Sequence, residues 1–177
     1  MRLAATILAA LSFGAAHAEI IDSAASGFTV KTTLTIKASP DDVYRRLVHN
    51  VGDWWNPMHT FSGDSHNLRM EEKAAGCFCE RLPNSGVVRH MELVYIAPGK
   101  GLVLRGALGP LQTVAATGSM QIQLTAADQS TKLDVTYAVA GYQPKGMNTW
   151  AAPLDMVLAE QFTRLKTYIE TGNAVPK

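Results

Sequence analysis

Cysteine is scarce: two residues among 177, placed together as Cys77-Phe78-Cys79. That excludes a scaffold stapled by many disulfides. Side chains two apart on a strand lie about 7 Å apart, from the strand rise. This is the edge of disulfide reach, so two buried free thiols are expected. No C-x-x-C and no H-x-x-x-H spacing occurs, which removes the compact ligand sets of zinc sites. We expect no metal and no cofactor. Excess charge of either sign is also missing, with 16 Lys+Arg against 15 Asp+Glu. A nucleic-acid partner would need a basic face, and an anionic membrane surface would need a cationic patch. No G-x-S-x-G elbow is present, and the glycine-rich turns lack the spacing of a phosphate loop. Beyond the first residues, no apolar run is long enough to cross a bilayer.

What is present begins with a leader pattern. Met1-Arg2 is followed by the apolar run Leu3 to Gly14 and by Ala16-His17-Ala18. This predicts a signal peptide over residues 1–18 and a periplasmic or secreted protein. Removing 18 of 177 residues leaves 159, which suits one domain with one core. Residues 19–27 read as a flexible lead-in and residues 28–172 as the folded domain.

Phe28 to Lys37 alternates, with Phe28, Val30, Thr32, Leu34 and Ile36 on one face. That is a half-buried strand. Ser39-Pro40 starts a helix, with Ser39 as N-cap, and Gly52 is expected to end it. Strands follow over 66–74, 76–82, 87–97, 102–108, 115–126 and 132–140, joined by short turns that require antiparallel pairing. In strand 87–97 the alternation turns Met91, Leu93 and Tyr95 inward and His90 and Glu92 outward, unless a bulge intervenes. Phe78 is the better core residue of its strand, which brings Glu80 inward with it. A long helix closes the chain, with Pro153 in its first turn and Gly172 as its stop. Its stripe Leu154, Val157, Leu158, Leu165, Tyr168 and Ile169 is interrupted by Gln161. The fold class is therefore α+β: a curved antiparallel sheet of about seven strands, wrapped on the C-terminal helix. Such a wrap leaves a void, the expected ligand site.

The element order over residues 28–171 resembles the START-like, or Bet v 1-like (SRPBCC), superfamily. Ile36-Lys-Ala-Ser-Pro-Asp-Asp-Val-Tyr44 is similar to the family's first strand and "A-x-P-E-x-V-W/F" helix. Asp53-Trp54-Trp55-Asn56-Pro57 is similar to the tryptophan-bearing segment after it. Gly76-Cys-Phe-Cys-Glu80 resembles the "G-G-x-F" strand of the branch named after the Hsp90 ATPase activator. The resemblance implies a helix-grip fold with an internal hydrophobic cavity. A fold alone implies no reaction.

The stretch from Val51 to His66 holds two of the three tryptophans and two of the five histidines. It is expected to form the cavity rim. Trp54, Trp55, His59, Met70, Tyr137, Met147, Trp150 and Met156 are the expected lining of a site for a small apolar or lipid-like ligand. His59 or Glu80 would orient the ligand's polar end. The alternative is a cyclase/dehydratase of the polyketide type, with His59 or His66 as base and Glu80 as acid or orienter. An Hsp90-activator-like interaction module is a third reading, opposed by the leader. Gly63-Asp64-Ser65 with His66 resembles the GDS block of a family of serine esterases. Those enzymes need a late D-x-x-H, and here Asp155 is followed by Met-Val-Leu. Two remoter metal sets can be drawn: His59, His66 and Glu80, or the cysteines with a methionine for Cu(I).

Overall fold

The computed structural model describes residues 17–175. The expected signal peptide, residues 1–18, thus lies almost wholly outside the described residues. The first element, β1 (His17–Ala24), pairs antiparallel with β2 (Gly27–Ile36). A strand therefore replaces most of the flexible lead-in expected over 19–27. Its sequence carries no alternation signal because Ile20 and Ile21 are both exposed. Backbone pairing to the free edge of β2, with a bulge between Ile20 and Asp22, makes this strand.

The phase of β2 is as the alternation predicts, with Phe28, Val30, Leu34 and Ile36 buried. Ser39 caps α1 (Pro40–His49), its side chain accepting from the Asp42 N–H at 3.2 Å. Val43, Tyr44, Leu47 and Val48 form its buried face. The chain does not stop being helical at Gly52. It breaks at Asn50, and Gly52 lies inside α2 (Val51–Trp54). A Cβ there would stand 3.0 Å from the His66 Cα and the Ser65 carbonyl, so this glycine serves close approach of the following loop.

Strands β3 (Leu68–Met70), β4 (Gly76–Arg81), β5 (Val87–Ala97), β6 (Gly101–Arg105), β7 (Ala115–Ala127) and β8 (Ser130–Tyr142) follow. One sheet results, in the order β1-β2-β8-β7-β6-β5-β4-β3. Every neighbouring pair is antiparallel. The eighth strand relative to expectation is β1. The final helix, α3 (Ala151–Thr171), ends at Gly172, whose φ of 80° is left-handed. Leu154, Leu158, Phe162 and Leu165 of α3 join the same core cluster as Leu133, Val135, Tyr137 and Val139 of β8. The architecture is the α+β helix-grip fold.

Strand β5 departs from simple alternation twice. Phe78 pairs with Met91 and Cys79 with Arg89, so His90 is the extra residue of a bulge. Leu93 pairs with Leu104 and Tyr95 with Val103, so Val94 is the extra residue of a second. His90, expected outside, is therefore buried beside Met91, and Tyr95, expected inside, is 59% exposed. Opposite the first bulge β4 is compressed. Cys77 and Cys79 lie only 5.3 Å apart at Cα and form a disulfide. This corrects the expectation of free thiols, which assumed an undistorted strand.

Candidate ligand cavity

A cavity of about 290 Å3 opens between the Trp-rich loop, the segment 108–111 and the start of α3. Its wall is mainly apolar: Trp55, Leu68, Phe78, Leu111, Trp150 and Leu154 face it, with Met58 and Phe61 where it meets solvent. The size lies at the small end of ligand sites.

Each side of the wall is held by identifiable bonds. The Trp-rich loop is pinned to α3 because the Asn56 N–H donates to Gln161 Oε1 at 2.8 Å. That explains the polar interruption in the stripe of α3. The Trp55 indole N–H donates to the His59 carbonyl at 3.0 Å, closing the turn on itself. Trp54 points the other way, wholly buried, its indole donating to the Arg46 carbonyl. The segment after β6 is held by Tyr137. Its hydroxyl donates to the Gly106 carbonyl at 2.8 Å and accepts from the Leu108 N–H at 3.0 Å. Burial pushes that phenol up to about 12, so it keeps its proton and remains a donor.

Glu80 is the polar centre of the site. It is 0% exposed, yet it is not stranded. Its carboxylate accepts from the backbone N–H groups of Phe61, at 3.1 Å, and Ser62. It also lies 3.0 Å from His90 Nε2. Burial alone would raise its pKa, but the bonds from Ser62, Phe61 and His90 outweigh that and hold it below the usual value. His90, 4% exposed, is lowered by burial, against the opposing pull of Glu80. A neutral imidazole bonded to a carboxylate carries its proton on the bonded nitrogen, here Nε2. Nδ1 is then an acceptor, and it is buried with no hydrogen-bond partner. Phe61 stacks on the ring at 5.9 Å and Phe78 tilts against it at 5.3 Å.

Of the residues expected to line the site, the structure brings Trp55, His59 and Trp150 to the cavity wall. Trp54, Tyr137 and Met147 lie in the core behind it, and Met70 packs half-buried against that core. Met156 is on the surface, 67% exposed. His59 reaches Glu160 at 3.0 Å, and exposed His66 reaches Asp64 at 3.0 Å. Neither of them is the imidazole that meets Glu80; that is His90. Among the described residues no three His, Cys, Asp or Glu side chains gather as a metal would need, so His59, His66 and Glu80 do not form a donor set, and the two cysteines of the other set are paired with each other. Also among the described residues, no helix is long and apolar enough to cross a membrane. Sequence reasoning missed His90, Phe61 and Leu111. Gly109 and Pro110, just past the expected strand 102–108, also border the cavity.

No family model matches the chain, and no curated protein does. Solved structures do. A conserved protein of unknown function from Enterococcus faecalis superposes with a TM-score of 0.60 at 20% identity, over 90% of this chain and 80% of that one. The Aha1 dimer from Colwellia psychrerythraea gives 0.58 at 17% identity, over 81% and 97%. CalU16 from Micromonospora echinospora gives 0.59 at 12% identity, over 91% and 86%. At such identities the likeness is one of fold, and the fold is helix-grip.

Proposed function

We propose that this is an exported protein that holds a small, mainly apolar molecule in the cavity described above. The observation that carries the reading is the cavity wall, apolar on three sides and braced by bonds that pin each side. A preformed apolar site gains affinity from area removed from water, about 25 cal/mol per Å2. The leader pattern in the sequence supports export.

The test is native mass spectrometry of protein recovered from its own host, with subcellular fractionation of the same cells. The expected result is a bound mass of a few hundred daltons or less, a size chosen from the usual volume of such sites, and recovery outside the cytoplasm. Ligand-free spectra together with no uptake of apolar probes would overturn the binding reading. A cytoplasmic location would overturn export and favour the Hsp90-activator-like alternative. The cyclase-type alternative draws on one observation, a buried carboxylate paired with a histidine at the wall. The pair is Glu80 with His90, so any such chemistry would rest on His90 rather than on His59 or His66.

A further inference from the structure

Asp155, in the first turns of α3, carries a half-buried carboxylate that meets no cation among the described residues. Its Oδ1 is buried without a hydrogen-bond partner among them. Burial raises its pKa, and the group that opposes this is the backbone N–H of Glu19, in β1. Lys31 stands opposite Glu19 in the ladder, but it is engaged by Asp134. A carboxylate withdrawn from water without a counter-charge costs stability. Buried polar atoms in folded proteins are nearly always satisfied, so a donor is missing at this point.

The leader pattern sets the expected cut between Ala18 and Glu19, at the very nitrogen that faces Asp155. Hydrolysis of that bond consumes one water and leaves a carboxylate on Ala18 and an amine on Glu19. The amine is protonated at neutral pH. A neutral amide with one N–H thus becomes an ammonium with three donors and a full positive charge.

We propose that the mature N-terminus is the counter-ion of this site: the Glu19 α-ammonium pairs with Asp155 and fastens β1 to the start of α3. The inference rests on the export reading and goes beyond it, because it makes processing a step in completing the fold. One N–H replaces the donor that the amide supplied, and a second meets Oδ1. Charge-assisted bonds of this kind are stronger than neutral ones. The cut also removes His17 and Ala18, which pair with Thr33 and Thr32. The ion pair therefore holds a strand end that has just lost ladder partners. Asp155 lies in sequence between Leu154 and Val157, which both border the cavity, so the fastening braces one side of the wall. The unprocessed chain lacks that brace.

The test compares chains that start at Glu19 and at His17, each released from a cleavable tag, with and without Asp155→Asn. Thermal melts at pH 7 form a double-mutant cycle. In the Glu19 chain Asp155→Asn lowers the midpoint by about 4 °C or more. In the His17 chain, whose amine sits two residues away, the same substitution costs far less. A second readout is independent of stability: by NMR, the Glu19 α-amino group titrates above its ordinary range of about 7.7–8.0 and returns to it in Asp155→Asn. Equal losses in the two chains, or an amine that titrates in its ordinary range, overturn the pair and leave export standing. Intact mass of protein recovered from its own host reads the cut itself. A start at Glu19 supports the proposal and any other start overturns it, whereas export is decided separately by fractionation.

Discussion

Glu80 and His90 make acid a threat to the folded state, and the sign follows from their surroundings. The His90 pKa is lowered from its ordinary 6.5, chiefly by burial. As pH falls, the unfolded chain takes up that proton first, so this contribution to stability is complete above 6.5 and declines below it. The Glu80 pKa is lowered from its ordinary 4.5, because hydrogen bonds from Ser62, Phe61 and His90 outweigh burial. Its contribution is complete above 4.5 and is lost as pH falls through the folded value. The two windows adjoin and act in the same direction. The unfolding midpoint should therefore fall between about pH 7 and pH 5, then more steeply toward pH 4. His90→Phe should flatten the first limb and also shrink the second, because it removes one of the bonds that hold Glu80 down. Thermal melts across that range check this. A wild-type midpoint that stays level from neutral to about pH 5 contradicts the buried neutral imidazole.

At the scale of elements, legibility depended on whether a strand keeps one phase. β2, β7 and β8 do so over ten or more residues, and their inward sets follow from alternation. β5 does not. Its bulges fall at His90 and Val94, neither of which has a side chain that announces an extra residue. The start of α1 and the end of α3 were readable because Ser39 and Gly172 carry specific cap chemistry, whereas the end of α1 falls at Asn50 and not at Gly52. Trp54 and Trp55 were both expected to line the cavity, but which of them faces it depends on α2, too short to show a period. Tyr137 was placed inward correctly, yet its role is to hold a backbone segment rather than to line the site. Gly118 is what admits its ring: a Cβ there would stand 2.6 Å from Tyr137 Cε2. Gly118→Ala should thus cost about 1–3 kcal/mol by overpacking. It should also weaken probe binding, because the shifted Tyr137 no longer holds Gly106 and Leu108. Chemical denaturation and probe titration check the two effects. A stable variant with unchanged affinity would show that the wall does not depend on this hydroxyl.

Across the whole molecule the sheet runs from β1 at one edge to the three-residue β3 at the other, with α3 in its grip. β1 contributes few buried side chains, but it occupies the outer edge of β2 and also contacts α3. A chain begun at Gly27 should fold with a midpoint lower by at least about 4 °C, and differential scanning calorimetry measures the drop. An unchanged midpoint would mean that β1 adds nothing beyond edge pairing with solvent-like strength. The two irregularities of β5 have a consequence for the molecule as a whole. Each adds one residue to β5, the first against β4 and the second against β6, so each pairing keeps its own one-residue shift. In the facing of the side chains the second undoes the first, since Val88 before the bulges and Ile96 after them are both more buried than their neighbours Val87 and Tyr95. A histidine can thus be turned from water to the cavity without disturbing the rest of the sheet. Deleting one of the two extra residues alone would invert everything beyond it.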